Sequence, residues 1–101
     1  MIRHVFLWNV RPDAGPAAGR LIVEVLDRLR DAPVASVSWS IGAGSAVPAG
    51  EDAGGRFQYA LVCDYESAEQ LAAYYSSPEH LAVVDEVVPL IADRAVCDYE
   101  L

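Results

Sequence analysis

The sequence has few basic residues and no long apolar run. Among its 101 residues, Lys and Arg together number 7 against 15 Asp and Glu, which gives a formal net charge of −8. Nucleic acids and anionic membrane surfaces are bound through clustered Lys and Arg, and no such cluster is present, so neither is expected as a partner. A bilayer span needs about 20 apolar residues, and the run at residues 5–8 is also too short for a signal peptide. We therefore expect a cytoplasmic protein without a membrane segment.

Cysteine and histidine are equally scarce, with two of each. Cys63 and Cys97 both lie in apolar, strand-like segments, which predicts two small buried side chains; a disulfide or redox pair is the alternative. The four residues lack the spacing of a zinc site. The sequence also contains no GxSxG, HExxH or P-loop motif. It therefore predicts neither a metal nor another cofactor.

Length and composition predict a single packed domain over residues 1–101, since 53% of the residues are apolar. Alternation and helical periodicity predict strands at 1–10, 34–42, 56–65 and 92–101 and helices at 17–31 and 68–75, with another helix from 78 onward. Ser67 and Ser77 are predicted N-caps, Pro78 fits a first helical position, Pro33 ends the first helix, and Pro89 kinks the last turn. Residues 43–55 are predicted to form a surface loop.

The order β-α-β-β-α-β predicts an α+β, ferredoxin-like fold: a four-stranded antiparallel sheet with its helices on one face. The first and third strands, however, carry large apolar residues on both faces. The face without helices therefore needs a second cover. The simplest cover is another copy of the chain, packed sheet to sheet as a homodimer, which would form a dimeric α/β barrel.

His80 and Tyr74 are candidates for proton transfer. His80 falls near the third helical position after Ser77, where the helix dipole disfavours a proton, so a neutral imidazole able to act as a base is expected. Tyr74 lies on the preceding turn, and the break at Ser77 and Pro78 can bring the two side chains together. A neutral imidazole beside a phenol can transfer protons. The alternative is that His80 is a capping or half-exposed residue and Tyr74 belongs to the core.

His4 and Asp98 are polar residues in apolar strands. His4 shares a strand face with Phe6 and Trp8, where a lone histidine is usually a hydrogen-bonded core residue. Asp98 needs a hydrogen-bond partner if it is buried, and an imidazole N–H would supply one. The alternative is a carboxylate at the sheet edge that faces solvent.

These residues lie in segments that resemble one family. The opening IRHVFLW, the strand YALVCDYES, the run AAYYSSPEHLAVVDEVVPLIADRAVCDY and its closing CDY are similar to the stress-responsive dimeric α/β-barrel (Dabb) family over nearly the whole chain. The most specific elements are His4, the Y-x-x-x-P-x-H run from Tyr74 to His80, and Asp98. Members of that family include olivetolic acid cyclase, which closes a linear polyketide thioester by aldol condensation, and a plant hydroxynitrile lyase.

The resemblance implies roles for individual residues. Tyr74 would be the oxyanion donor or acid, His80 the base and Asp98 the residue that orients His80. An apolar cavity between sheet and helices would bind a small hydrophobic carbonyl ligand and would be lined by His4, Phe6, Trp8, Tyr59, Leu61 and Cys63. The indole of Trp8 is also large enough to fill such a cavity.

The resemblance implies a small cofactor-free cyclase or lyase that performs aldol-type proton transfer on a carbonyl or polyketide-like substrate. The alternative is a non-catalytic, stress-associated or small-molecule-binding homodimer. A third possibility is the haem or flavin-free oxygen chemistry of neighbouring dimeric barrels, although His4 and His80 are the only evident iron ligands.

Overall fold

The chain folds into one antiparallel sheet with its α-helices on a single face. A computed structural model describes residues 1–32, 34–45 and 56–101. Its elements are β1 (Ile2–Val10), α1 (Ala18–Asp27), β2 (Ser38–Ala43), β3 (Tyr59–Tyr65), α2 (Ala68–Ser76), α3 (Pro78–Val87) and β4 (Ile91–Glu100), with short 3-10 turns at Pro12–Ala14 and Val88–Leu90. The predicted ferredoxin-like α+β fold is confirmed, and Pro89 lies in the 3-10 turn that follows α3.

The four strands lie in the order β2-β3-β1-β4, and every neighbouring pair is antiparallel. β1 is central, and its residue His4 lies opposite Cys63 of β3 on one side and Asp98 of β4 on the other. Because paired residues in a sheet present their side chains on the same face, this register places His4 and Asp98 side by side.

Several predicted boundaries are wrong by a few residues. The second and third strands begin at Ser38 and Tyr59 rather than at residues 34 and 56, because the β2–β3 ladder extends only from the Ser38–Asp64 pair to the Ala43–Tyr59 pair. The fourth strand occupies 91–100 rather than 92–101. Residue 33 and most of the predicted loop at 43–55 lie outside the described residues.

The first helix ends at Asp27 rather than at residue 31. The amides of Arg28, Leu29 and Arg30 each bond to the carbonyl three residues earlier, so the chain tightens into successive turns there. The Asp27 carboxylate accepts a hydrogen bond from the Trp39 indole at 3.0 Å. This bond ties the end of α1 to β2.

Serine caps separate the two helices that precede β4. The Ser67 hydroxyl accepts the amide of Gln70, and the Ser77 hydroxyl accepts the amide of His80, both at 3.2 Å. Pro78 is the first residue of α3, where its missing N–H costs no helical hydrogen bond. The predicted caps are therefore confirmed, and the break between α2 and α3 lies between Tyr74 and His80.

The core lies between the sheet and the helices. It contains Trp8, Leu61, Cys63 and Tyr65 from the sheet and Ile22, Val25, Leu26, Leu29, Leu71, Tyr74, Val83 and Val87 from the helical side. None of the helices in the described ranges is both long enough and apolar enough to cross a membrane.

The opposite face of the sheet, here called the open face, has no helix packed on it. Its apolar residues include Val5 and Leu7 of β1 and Val62 of β3, all of them only partly buried. Cys97, which pairs with Val5 in the register, lies on the same face and is exposed in the single chain. The prediction of a buried Cys97 is therefore wrong for the isolated chain, because helices cover only the other face.

A charged cluster is embedded in the open face. Asp64 is almost completely buried and accepts two hydrogen bonds from the Arg3 guanidinium, at 2.8 and 2.9 Å, and one from Ser38 at 2.7 Å. The bonds from Arg3 are the largest cause of a lowered pKa for the Asp64 carboxyl. The carboxylate therefore stays charged and paired within an otherwise apolar strand.

Gly19 of α1 lies against the phenol of Tyr59. A Cβ at this position would overlap the Tyr59 hydroxyl and the ring carbon that carries it. The Tyr59 ring is itself stacked on Trp8, with centroids 5.5 Å apart and planes 11° apart. Alanine favours a helix over glycine by about 1 kcal/mol, but the displaced ring opposes that gain because overpacking typically costs about 1–3 kcal/mol.

We therefore expect Gly19→Ala to lower the free energy of unfolding by about 1 kcal/mol, measured by urea denaturation. The control is the same substitution in a Tyr59→Leu background, where the obstructing ring is gone and alanine should stabilise the helix. If Gly19→Ala instead raises the free energy of unfolding of the wild type, the Tyr59 ring moves aside at no cost in stability.

Candidate active site

A cavity of about 310 Å³ lies between the sheet and the α2–α3 segment. This volume is at the lower end of the range of small-molecule sites, about 300–1,000 Å³. Most of its walls are apolar, with a few polar side chains among them. The lining residues are His4, Phe6, Leu26, Leu61, Tyr74, Tyr75, His80, Val84, Val87, Val88, Arg94 and Val96.

His80 lines this cavity with its tautomer fixed by the backbone. Its Nδ1 lies 3.0 Å from the carbonyl oxygen of Tyr75. A carbonyl oxygen only accepts hydrogen bonds, so Nδ1 carries the proton and Nε2 of the neutral ring keeps a free lone pair. The pKa of His80 is lowered from its ordinary value of 6.5, chiefly by burial and also by the nearby His4, although the bond to the carbonyl opposes the shift. The expected neutral imidazole is supported, with burial rather than the helix dipole as the leading cause.

Tyr74 packs directly against His80. The two ring centroids are 4.7 Å apart, with an angle of 55° between the planes. Tyr74 is almost completely buried, and this burial raises the pKa of its phenol. The phenol therefore remains protonated at neutral pH and keeps an O–H that can donate a hydrogen bond. The structure brings the predicted pair together through ring contact across the Ser77 break.

His4 and Tyr75, which line the cavity, form a second hydrogen-bonded group with Asp98, which does not line it. His4 Nδ1 donates to Asp98 Oδ1 at 2.6 Å, and the Tyr75 hydroxyl donates to Asp98 Oδ2 at 2.7 Å. The Tyr75 oxygen also lies 3.0 Å from His4 Nδ1. Because the carboxylate accepts the Nδ1 proton, a neutral His4 likewise keeps its lone pair on Nε2.

The expectation that Asp98 orients His80 does not agree with this bonding. Asp98 binds His4 and Tyr75, whereas His80 is held by the main-chain carbonyl of Tyr75. The reason is geometric, since the β1–β4 register places Asp98 directly opposite His4. Each of the two oxygens of the Asp98 carboxylate accepts one of these bonds.

Tyr75 belongs to the candidate site, although no sequence motif identifies it. The Tyr75 hydroxyl donates to Asp98, which binds His4, and the Tyr75 carbonyl accepts a hydrogen bond from His80. One residue therefore connects the two histidines of the site. The sequence signal is weak, because Tyr74 and Tyr75 are adjacent and helical periodicity alone does not decide which of them faces the sheet. The pairing of β1 with β4 is a better signal, because it places Asp98 opposite His4 and so marks where the site lies.

Of the six residues expected to line the cavity, His4, Phe6 and Leu61 do so, and Trp8, Tyr59 and Cys63 do not. Trp8 is fully buried between Phe6 and Tyr59, with ring centroids 5.1 and 5.5 Å away, so the indole packs beside the cavity without filling it. Cys63 is fully buried, and desolvation raises the pKa of its thiol to about 12. A thiol in this state is a poor nucleophile.

The model of the stress responsive A/B barrel domain family matches residues 2–101. No curated protein matches the sequence significantly.

Several solved structures share the fold. A dimeric ferredoxin-like protein of unknown function from Thermobifida fusca is 25% identical, with a TM-score of 0.82 over 99% of this chain and 90% of its own. An Arabidopsis thaliana protein is 17% identical, with a TM-score of 0.84 over 100% and 95% of the two chains. The hydroxynitrile lyase of Passiflora edulis is 21% identical, with a TM-score of 0.81 over 97% and 90%.

Proposed function

The chain belongs to the stress-responsive A/B barrel family, and we propose that it is a cofactor-free enzyme that transfers a proton on a small apolar carbonyl substrate. The reaction is of the cyclase or lyase type and takes place in the cavity lined by His80, Tyr74 and His4. The observation that carries the proposal is the bond from His80 Nδ1 to the Tyr75 carbonyl, because it leaves Nε2 as a base.

His80 and Tyr74 have complementary roles in this chemistry. His80 Nε2 takes a proton from the carbon next to the carbonyl group, and the electron pair of the broken C–H bond moves toward the carbonyl oxygen. The protonated phenol of Tyr74 donates a hydrogen bond to the oxygen as it gains negative charge. Stabilisation of this kind is commonly worth about 3–4 kcal/mol. In a cyclase the resulting enolate carbon attacks a second carbonyl, and the alkoxide that forms takes the proton back from His80. In a lyase His80 instead removes a hydroxyl proton, the C–C bond to the leaving group breaks as the C=O bond forms, and the leaving carbanion takes the proton.

His4 acts as a positioning residue or as a second acceptor for the proton. Asp98 and Tyr75 hold its ring with Nε2 free. A histidine fixed by a carboxylate is a common arrangement for a group that must keep one orientation. Asp98 therefore acts through His4 in this proposal rather than through His80.

Proton exchange gives a direct assay of the proposed chemistry. Acetophenone in D₂O exchanges its methyl protons for deuterium when a base removes them, and NMR follows the loss of the methyl signal. Because the pKa of His80 is lowered from 6.5, its base form persists into mildly acidic solution. We expect the rate to be high at pH 7 and to fall to half at a pH below 6.5. A half-maximal point well above pH 7, or a rate no faster than that without enzyme, would contradict the proposal.

Proton exchange does not measure the bond cleavage of a lyase, so that reaction needs its own assay. Cleavage of mandelonitrile to benzaldehyde and cyanide starts when a base removes the hydroxyl proton, and it is followed by the absorbance of the aldehyde. The similar fold of the Passiflora edulis enzyme supports including this reaction. If the chain is a lyase, we expect cleavage to follow the same pH dependence as proton exchange.

Non-catalytic binding is the second candidate function. The observation in its favour is that His4, Asp98 and Tyr75 satisfy one another by hydrogen bonding within the chain. A binding protein would take up acetophenone in the cavity, as judged by shifts of the resonances of lining residues, and would accelerate neither reaction.

We also propose that the chain is a homodimer in which two sheets pack through their open faces. Val5, Leu7 and Val62 are only partly buried in one chain, and burying apolar area is the main driving force of association. The similar Thermobifida fusca protein is described as dimeric. The charges of Arg3 and Asp64 on this face are already paired with each other within each copy, so neither is left unpaired in the interface.

A further inference from the structure

Among the described residues that line the cavity, one charged side chain has no part in the proposed chemistry. Arg94 of β4 lines it together with Val96, Val84 and Val88. A guanidinium stays protonated throughout the physiological pH range. The apolar pocket of the proposed base thus has a fixed positive charge at its rim, since Arg94 is an exposed residue.

Arg94 differs from most of the other arginines of the chain, which are paired with carboxylates. All seven basic residues of the sequence are arginines. Four of them form ion pairs with carboxylates: Arg3, Arg11, Arg28 and Arg30. Arg94, in contrast, has no carboxylate within ion-pair distance among residues 1–32, 34–45 and 56–101. In a chain of net charge −8, a cation left unpaired beside a cavity is available to a ligand.

The position of Arg94 on the strand fixes where a ligand would meet it. Arg94, Val96 and Asp98 alternate on the sheet face that bears the cavity, and Arg94 lies opposite Trp8 while Asp98 lies opposite His4. The two ends of this row are four residues apart, or about 13 Å at 3.3 Å per residue. A ligand whose carbonyl reaches the histidines can therefore extend an anionic group toward Arg94.

From this placement we propose that Arg94 determines specificity by binding a carboxylate of the substrate. The substrate class is then a small apolar keto acid in which a spacer of about one benzene ring separates the reacting carbonyl from the carboxylate. The planar guanidinium can donate two parallel hydrogen bonds to the two carboxylate oxygens. The inference rests on the proposed function in taking this cavity as the substrate site.

Two matched probes test the proposal. 4-Acetylbenzoate carries the reactive methyl ketone and a carboxylate, and 4-acetylbenzamide is its neutral counterpart of nearly the same shape. NMR titration gives the dissociation constant of each for the wild type, Arg94→Gln, Arg94→Lys and Arg20→Gln. Arg20 is a suitable control because it is also exposed, lies on α1 and does not line the cavity.

We expect the wild type to bind the acid about tenfold more tightly than the amide, because hydrogen bonds between two charged groups are stronger than those to a neutral amide, although solvent at the rim screens part of the difference. Arg94→Gln should lose this preference, Arg94→Lys should keep part of it and Arg20→Gln all of it. The preference should shrink at about 1 M salt, where the Debye length is about 3 Å.

The same probes separate this inference from the proposed function. Exchange of the methyl protons reports the base, whereas the acid-to-amide ratio of dissociation constants reports Arg94. Selective, Arg94-dependent binding without exchange would refute the proposed enzyme and leave the carboxylate site standing. Exchange without any preference for the acid would refute the carboxylate site and leave the proposed enzyme standing. Equal binding of the acid by the wild type and Arg94→Gln, or no tighter binding of the acid than of the amide, overturns the assignment.

Discussion

Replacing His80 with asparagine is expected to lower the proton-exchange rate of acetophenone by about 10²–10⁴-fold, the usual contribution of a general base. The asparagine amide can still donate a hydrogen bond to the Tyr75 carbonyl, which His80 Nδ1 binds at 3.0 Å. The variant therefore removes Nε2 while retaining the local hydrogen bond. The rate is measured by NMR in D₂O, and urea denaturation checks that the fold is intact.

The matched control is Glu79→Gln on the same turn of α3. Glu79 is exposed and does not line the cavity, so its replacement should leave the exchange rate unchanged. An undiminished rate in His80→Asn would assign the base to another residue, of which His4 is the first to test.

Placing a carboxylate at the centre of the open face is expected to dissociate the dimer. Val5 lies on β1, paired with Val62 on one side and with Cys97 on the other. An unpaired charge buried between two sheets costs several kcal/mol, so Val5→Glu should raise the dissociation constant by about 100-fold or more. In one chain Val5 is only partly buried, so the variant should remain folded. Sedimentation velocity over a range of concentrations measures the change.

The control for this substitution is Leu81→Glu. Leu81 is also apolar and is 53% exposed, but it belongs to α3 on the other side of the sheet. It should therefore leave the assembly unchanged. A Val5→Glu variant that sediments as the wild type does would rule out the open face as the interface, and so would a wild type that stays monomeric at micromolar concentration.

The sequence was sufficient for the fold because the signals that specify it are local. The β-α-β-β-α-β order followed from periodicity, and the Ser67 and Ser77 caps followed from hydrogen bonding over three residues. The end of α1 was harder to place, because apolar periodicity continues to Leu29 while the hydrogen bonds already change at Arg28.

The site was only partly predictable because its bonds are long-range. His4 and Asp98 are 94 positions apart and meet through the β1–β4 register, which composition and spacing do not specify. The backbone carbonyl of Tyr75 accepts the hydrogen bond of His80. Every residue has such a carbonyl, so the sequence does not show which one will bind a side chain. The family resemblance implied that Trp8 lines the cavity, yet its indole is buried beside the cavity.

The proposed chemistry depends on a neutral imidazole at His80 whose Nε2 is free to accept a proton. The most direct test is ¹⁵N NMR of the histidine rings as a function of pH. We predict a protonated Nδ1 and an unprotonated Nε2 for His80 at pH 7, with titration below pH 6.5. A His80 ring that carries its proton on Nε2, or that is still an imidazolium at pH 7, would contradict the account.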